Sequence, residues 1–185
     1  MAFLGLVPAA SAEVPATLVT GAVANFAVTT PPKPAPEINF VDIDGKPMTL
    51  SAFRGKVVFL NFWATWCAPC RREMPDIDAL QAKYGPAGLA VVALSADRKG
   101  PSVIPPFYEQ TGVEHLAVYN DRSMKSNRAF RVVGLPTTVI LDRQGREVGR
   151  LIGPAEWASP EALALIEHLV GETDRPALKK ASTGG

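Results

Sequence analysis

Asn61-Phe62-Trp63-Ala64-Thr65-Trp66-Cys67-Ala68-Pro69-Cys70-Arg71-Arg72-Glu73-Met74-Pro75 is the stretch whose reading decides the fold. The apolar run Val57 to Phe62 leads into it, and Arg71 onward reads as a helix. Strand, Cys-x-x-Cys, helix is the setting in which this spacing reads as a redox dithiol rather than half a metal site. The first cysteine of such a motif stands at a helix N-terminus, where free N–H groups and the dipole favour a thiolate. The second is near enough to close a disulfide with it, or to attack a mixed one. The chain has 2 cysteines, both here. A structural zinc site needs four ligands. Only His115 and His168 could join the cysteines, and they fall in a loop and a distant helix, so no metal and no cofactor is expected.

Outward from the motif, Lys56 to Trp63 is a continuous apolar strand, the pattern of a sheet centre covered on both faces. Cys70 to Tyr84 is helical, with Met74, Ile77, Leu80 and Tyr84 on one face and Pro75 as an internal kink. Gly88 to Ser95 is the next buried strand. Strand, helix, strand implies a parallel pair with a right-handed crossover. Asp97 to Ser102 reads as a loop, Pro105 to Thr111 as a helix, Leu116 to Tyr119 as a short strand and Met124 to Phe130 as a helix. Thr137 to Leu141 and Glu147 to Ile152 form a hairpin around Asp142 to Gly145. Ser159-Pro160-Glu161 opens a last helix whose stripe is Leu163, Ile166, Leu169 and Val170.

Upstream, Ile38 to Ile43 and Met48 to Leu50 are strands of a hairpin around Asp44-Gly45. Thr29 to Pro36 holds four prolines in eight residues and reads as an extended linker. Ala16 to Val28 carries one helical stripe. Met1 to Ala12 is apolar, and Ala10-Ser11-Ala12 fits a small-residue cleavage site, but no positive n-region precedes it. A signal or anchor remnant and a plain mobile terminus both fit. Residues 1–36 are therefore read as a leader, short helix and linker, 37–172 as the domain, and 173–185 as a disordered tail.

Length fits one domain plus extensions. Net charge is +1 with both signs interspersed, which argues against a nucleic-acid footprint. No apolar run is long enough for a transmembrane helix. Four strands with flanking helices, a parallel pair and a terminal hairpin fit a three-layer α/β/α sandwich.

Trp66 to Cys70 resembles the active site of thioredoxin-fold oxidoreductases. The string from Asn61 to Pro75, with Gly134-Leu135-Pro136-Thr137 and Gly153-Pro154-Ala155-Glu156-Trp157-Ala158-Ser159, is similar to their TlpA-like and ResA-like extracytoplasmic branch, above all to TlpA. The match runs from about Ile38 to about Val170. The resemblance implies a thioredoxin fold with a mixed central sheet, an N-terminal β-hairpin and an insertion before the cis-proline strand. It implies a reductase of client disulfides, with cytochrome c or copper-site assembly factors as clients and a membrane thiol reductase as electron donor. It also implies a periplasmic location with a membrane tether upstream of residue 13.

Cys67 is the candidate nucleophile and Cys70 the resolving thiol of a redox-active disulfide. Ala68-Pro69 adds no charge that would further stabilise a thiolate, which leans toward the reducing side. Pro136 opens a buried strand. Read alone it is a strand-start proline; the resemblance makes it the cis-proline beside the cysteines, with Leu135 offering backbone to a client. Glu73, one turn after Cys70, is read in two ways. It is an acid complementing the helix dipole, or, as the resemblance implies, a proton-transfer group for the thiols. Asn61 stands where many thioredoxins carry an aspartate, and an amide cannot shuttle a proton. Trp66 adjoins the nucleophile and is read as a client contact; Trp63 and Phe62 are read as core, and Trp157 as packing near the last helix. Arg71 and Arg72 are read as solvated. A thiol peroxidase is disfavoured by Ala64 and Leu60 at positions where peroxiredoxins have threonine and proline. A Cu(I) carrier on the two thiolates is disfavoured because no methionine or histidine adjoins the motif.

Overall fold

The computed structural model describes residues 13–171. Two 3-10 turns, Ala16–Leu18 and Gly21–Val23, replace the single helix expected there. Gly21 takes a left-handed φ of 53°, which an α-helix cannot continue through. Val23 and Phe26 are nevertheless buried in the main core.

The expected linker is a strand instead. β1 (Ala27–Pro34) pairs antiparallel with β8 (Arg146–Ile152), the last strand among the described residues. The register shifts between Val28 and Lys33, across Pro31-Pro32. Proline lacks an N–H, so it is excluded from central strands but tolerated on an edge. β1 is such an edge. β2 (Asn39–Val41) and β3 (Pro47–Thr49) form the expected hairpin. The Asp42 carboxylate accepts the N–H groups of Asp44 and Lys46 and fixes its turn.

β4 (Val57–Trp63) is buried along its whole length, as is β5 (Leu89–Ser95), which runs parallel to it. α1 (Ala68–Tyr84) makes the crossover. The insertion contains α2 (Ile104–Thr111), the two-residue β6 (Tyr119–Asn120) and the short α3 (Lys125–Ala129). β7 (Thr137–Leu141) returns antiparallel to β4 and pairs with β8; α4 (Pro160–Gly171) ends the described chain. The eight strands form one mixed sheet in the order β1-β8-β7-β4-β5-β6-β2-β3.

Residue alternation along β4 divides the interior. Val57, Phe59 and Trp63 face a core with α1, α2 and α4. Val58, Leu60 and Phe62 face a second core with Phe40, Leu50 and Phe130. Helices therefore cover both faces of the sheet, which is the thioredoxin-like α/β fold. The insertion is tied to α1 by Asp78. Its carboxylate accepts the N–H groups of His115 (2.7 Å) and Leu116 (3.0 Å), and its other oxygen meets His115 Nδ1 at 2.9 Å. His115, read as a plain loop residue, is half of this anchor. His168 sets a ring nitrogen 3.0 Å from the carbonyl of Glu13.

Candidate active site

β4 ends at Trp63 and the chain turns through Ala64-Thr65-Trp66 into α1. Cys67 is the N-cap of α1, and its Sγ accepts the N–H of Cys70 at 3.4 Å. The two cysteines are disulfide-bonded, with Cα atoms 5.3 Å apart. Pro69 occupies the first turn, where its missing N–H costs nothing. Cys67 keeps 6% of its surface exposed and Cys70 none. In the dithiol form the same N–H and the helix N-terminus act on Cys67, the thiol that solvent can reach.

The turn before Cys67 is clamped from two sides. Asp97 accepts the Thr65 N–H (2.9 Å) and hydroxyl (2.8 Å), and Ser95 donates to it at 2.7 Å. Arg71 donates to the Thr65 carbonyl at 3.3 Å and lies over the Phe107 ring. Arg71 is exposed, in line with its reading as solvated, and it also braces the loop. Sequence reasoning misses the Asp97 contact because Asp97 reads as the first residue of a loop. Its signal is position, directly after a buried strand that ends beside the motif.

Trp66 is 67% exposed. With Cys67 it lines a groove whose other wall comes from Met124, Asn127, Val133 and Leu135. Val133, on that wall, is 82% exposed. Leu135–Pro136 is cis, and the Pro136 carbonyl accepts the N–H of Gly153 at 2.9 Å. Folding thus brings Trp66, Cys67 and Leu135 to one groove; Pro136 is buried and is not part of that groove's lining.

Glu73 faces the opposite flank. It is 3% exposed, not a surface acid on the first turn. Its Oε1 accepts the Ala155 N–H and the Trp157 indole N–H, each at 2.9 Å, while Oε2 is buried and has no hydrogen-bond partner among the described residues. Burial pushes its pKa up to about 7, against the pull of those two hydrogen bonds. Trp157 packs edge-on against Phe59. A buried indole N–H usually pairs with an acceptor, and that tendency is the signal that could have tied Trp157 to an acid. Asn61 donates to the Thr138 hydroxyl at 3.0 Å, a bond between β4 and β7. Trp63 stacks on Tyr108 in the core, as expected.

This fold with a helix-capping Cys-x-x-Cys disulfide defines a thiol-disulfide oxidoreductase. Residues 30–166 match the Redoxin family. The chain belongs to that family. The thiol-disulfide oxidoreductase ResA of Bacillus thuringiensis (strain Al Hakam) is 39% identical over 121 residues, covering 65% of this chain and 69% of the relative. ResA of Geobacillus kaustophilus is 40% identical over 118 residues, 64% of this chain and 66% of the relative. A thiol:disulfide interchange protein of Chlorobium tepidum superposes with a TM-score of 0.62 at 27% identity, covering 77% of this chain and 99% of its own. The exposed lipoprotein thioredoxin of Streptococcus pneumoniae does so at 0.59 and 26%, covering 71% and 99%. Within this class the chain is similar to these ResA proteins.

Proposed function

We propose that the protein reduces disulfides of extracytoplasmic client proteins, in the manner of the TlpA branch. The observation that carries this reading is the asymmetry of the pair. Cys67 caps a helix at the rim of an apolar groove, while Cys70 is sealed behind it. The Cys67 thiolate attacks a client sulfur, forms a mixed disulfide and displaces the other client sulfur as a thiolate. Cys70 then attacks Cys67 Sγ, releases the reduced client and closes Cys67–Cys70. The client gains two electrons, and the protein loses two. A membrane thiol reductase returns them.

Trp66 and Leu135 hold the client segment, and Pro136 keeps a main-chain N–H away from the sulfur. Glu73 takes the Cys70 proton as that thiol attacks. A pKa near 7 suits a group that must accept and return a proton near neutral pH. Its position on α1, three residues after Cys70, puts it on the adjacent turn. The clients are cytochrome c or copper-site assembly factors, and the chain works in the periplasm on a tether upstream of residue 13. The pneumococcal relative, an exposed lipoprotein, supports an extracytoplasmic placement. Among the described residues no helix is long and apolar enough to cross a membrane.

Cys70→Ser tests the reading. It leaves Cys67 able to attack and removes release, so clients accumulate as mixed disulfides on Cys67. Recovery of periplasmic proteins bearing haem-site or copper-site cysteines supports the assignment. A Cys70→Ser protein that carries no disulfide-linked client at all, with its Cys67 thiol verified, sinks it.

A further inference from the structure

The groove beside Cys67 has no charged side chain in its lining: Trp66, Ala68, Pro69, Met124, Asn127, Val133 and their neighbours are apolar or neutral. Its rim, taken as the segments that flank this lining, is different. The segment that supplies the α3 wall also carries Arg122, Lys125, Arg128 and Arg131, all exposed. From Arg122 through Leu141 there is no aspartate or glutamate. A second cleft shares Trp66 and Met124 with the groove and adds Arg98 and Lys99, also exposed.

The acids nearest in sequence do not neutralise this rim. Asp97 is turned inward onto Thr65 and Ser95. Asp121 is spent on the N–H groups of Ser123 and Ser126 and the Ser123 hydroxyl. Among the described residues none of these arginines and lysines forms an ion pair with a carboxylate. Across Cys67, on the far side of Pro69, the next cleft is bordered by Asp76, Glu156 and Glu161, with Arg72 as the one cation in its lining. A chain of net charge +1 thus places its cysteine on a boundary, basic toward α3 and acidic toward α4.

We propose that the basic rim receives an acidic segment of the client. Preferred client disulfides then have apolar residues beside the attacked cysteine and Asp or Glu a few positions away, lying toward α3. The inference rests on the reductase reading above and adds the client's chemistry to it. Complementary charge acts mainly on encounter and register, and it weakens as salt rises. An anionic membrane is the other surface that would attract these charges. A lipid face there would cover the groove that Cys67 needs open, so the observations favour a protein segment.

The test uses the reduced protein and short peptides with one intramolecular disulfide, an apolar residue next to each cysteine, and a flank of aspartate, asparagine or lysine. Reduction is followed by acid quench and chromatography at low and high salt. The aspartate peptide should react about tenfold faster than the asparagine peptide at low salt, with the lysine peptide slowest. High salt should compress the series. Arg98→Glu, Lys99→Glu, Arg122→Glu and Lys125→Glu combined should invert its order. Equal rates for all three peptides overturn the inference and leave the reductase reading intact. Failure to reduce any of them, with the Cys67–Cys70 dithiol verified, removes the reductase reading as well. Vesicles of phosphatidylglycerol provide the last arm. Binding to them that the charge reversals abolish, with no peptide preference, assigns the rim to a membrane and overturns the proposal.

Discussion

Replacing Glu73 by glutamine isolates the cost of ionising a buried carboxyl. In the folded protein its pKa rises from 4.5 to about 7, because burial penalises the charge more than the Ala155 and Trp157 hydrogen bonds relieve it. One pKa unit is worth about 1.4 kcal/mol, so the linkage amounts to about 3 kcal/mol. The sign follows from the raised value. The folded state holds a proton that the unfolded chain has released, so the contribution is complete below about pH 4.5. It is lost as the pH rises through about 7. Wild-type stability should therefore fall by about 3 kcal/mol between pH 4.5 and 8 relative to the variant. Glutamine keeps an oxygen for both N–H donors and has nothing to ionise. Its buried NH2 lacks an acceptor, which lowers stability by about 1–3 kcal/mol at every pH and leaves the slope alone. The measurement is urea unfolding of the oxidised proteins across this range, so that no thiol titrates. The His115–Asp78 pair titrates in both proteins and cancels in the difference. Parallel stability–pH curves would refute the reasoning, because they mean that Glu73 ionises in the folded state as easily as in the unfolded one.

Three further outcomes follow from the same geometry. In the reduced protein, limiting iodoacetamide at neutral pH should label Cys67 well ahead of Cys70, read by peptide mass spectrometry; equal labelling removes Cys67 as nucleophile. A glutathione titration should place the dithiol nearer thioredoxin, about −270 mV, than DsbA, about −120 mV, since Ala68-Pro69 adds no thiolate-stabilising charge. A midpoint at the DsbA end turns the reductase into an oxidase. Asp78→Ala leaves the buried Leu116 N–H and the His115 N–H without their acceptor and should lower stability by about 2–3 kcal/mol in urea. A change below about 0.5 kcal/mol would show that the insertion is held by its apolar contacts alone.

The centre of the fold was legible because its signals are local. β4 and β5 are continuous apolar runs, and the Cys-x-x-Cys between strand and helix places the N-cap without tertiary information. Trp66 and the Cys67–Cys70 pair share that immediate context. What stayed hidden depends on partners far along the chain. The Glu73 carboxylate is set by Ala155 and Trp157, more than eighty residues later. Asp97 reaches Thr65 across 32 residues. The segment Thr29 to Pro36 misled for a different reason. Its prolines do abolish strand propensity in a sheet interior, and only the pairing with β8 reveals that this strand has one free side.

That free side has a consequence for how copies of the protein meet one another. A sheet edge with a full row of N–H and C=O groups invites a neighbouring chain to dock on it and grow the sheet. Here one rim is β1, where Pro31, Pro32 and Pro34 have no N–H to offer and Lys33 adds a charge. The other rim is β3, three residues long and opened by Pro47. Neither rim offers a stranger's backbone a full ladder, so crowded copies have little means of self-association through the sheet.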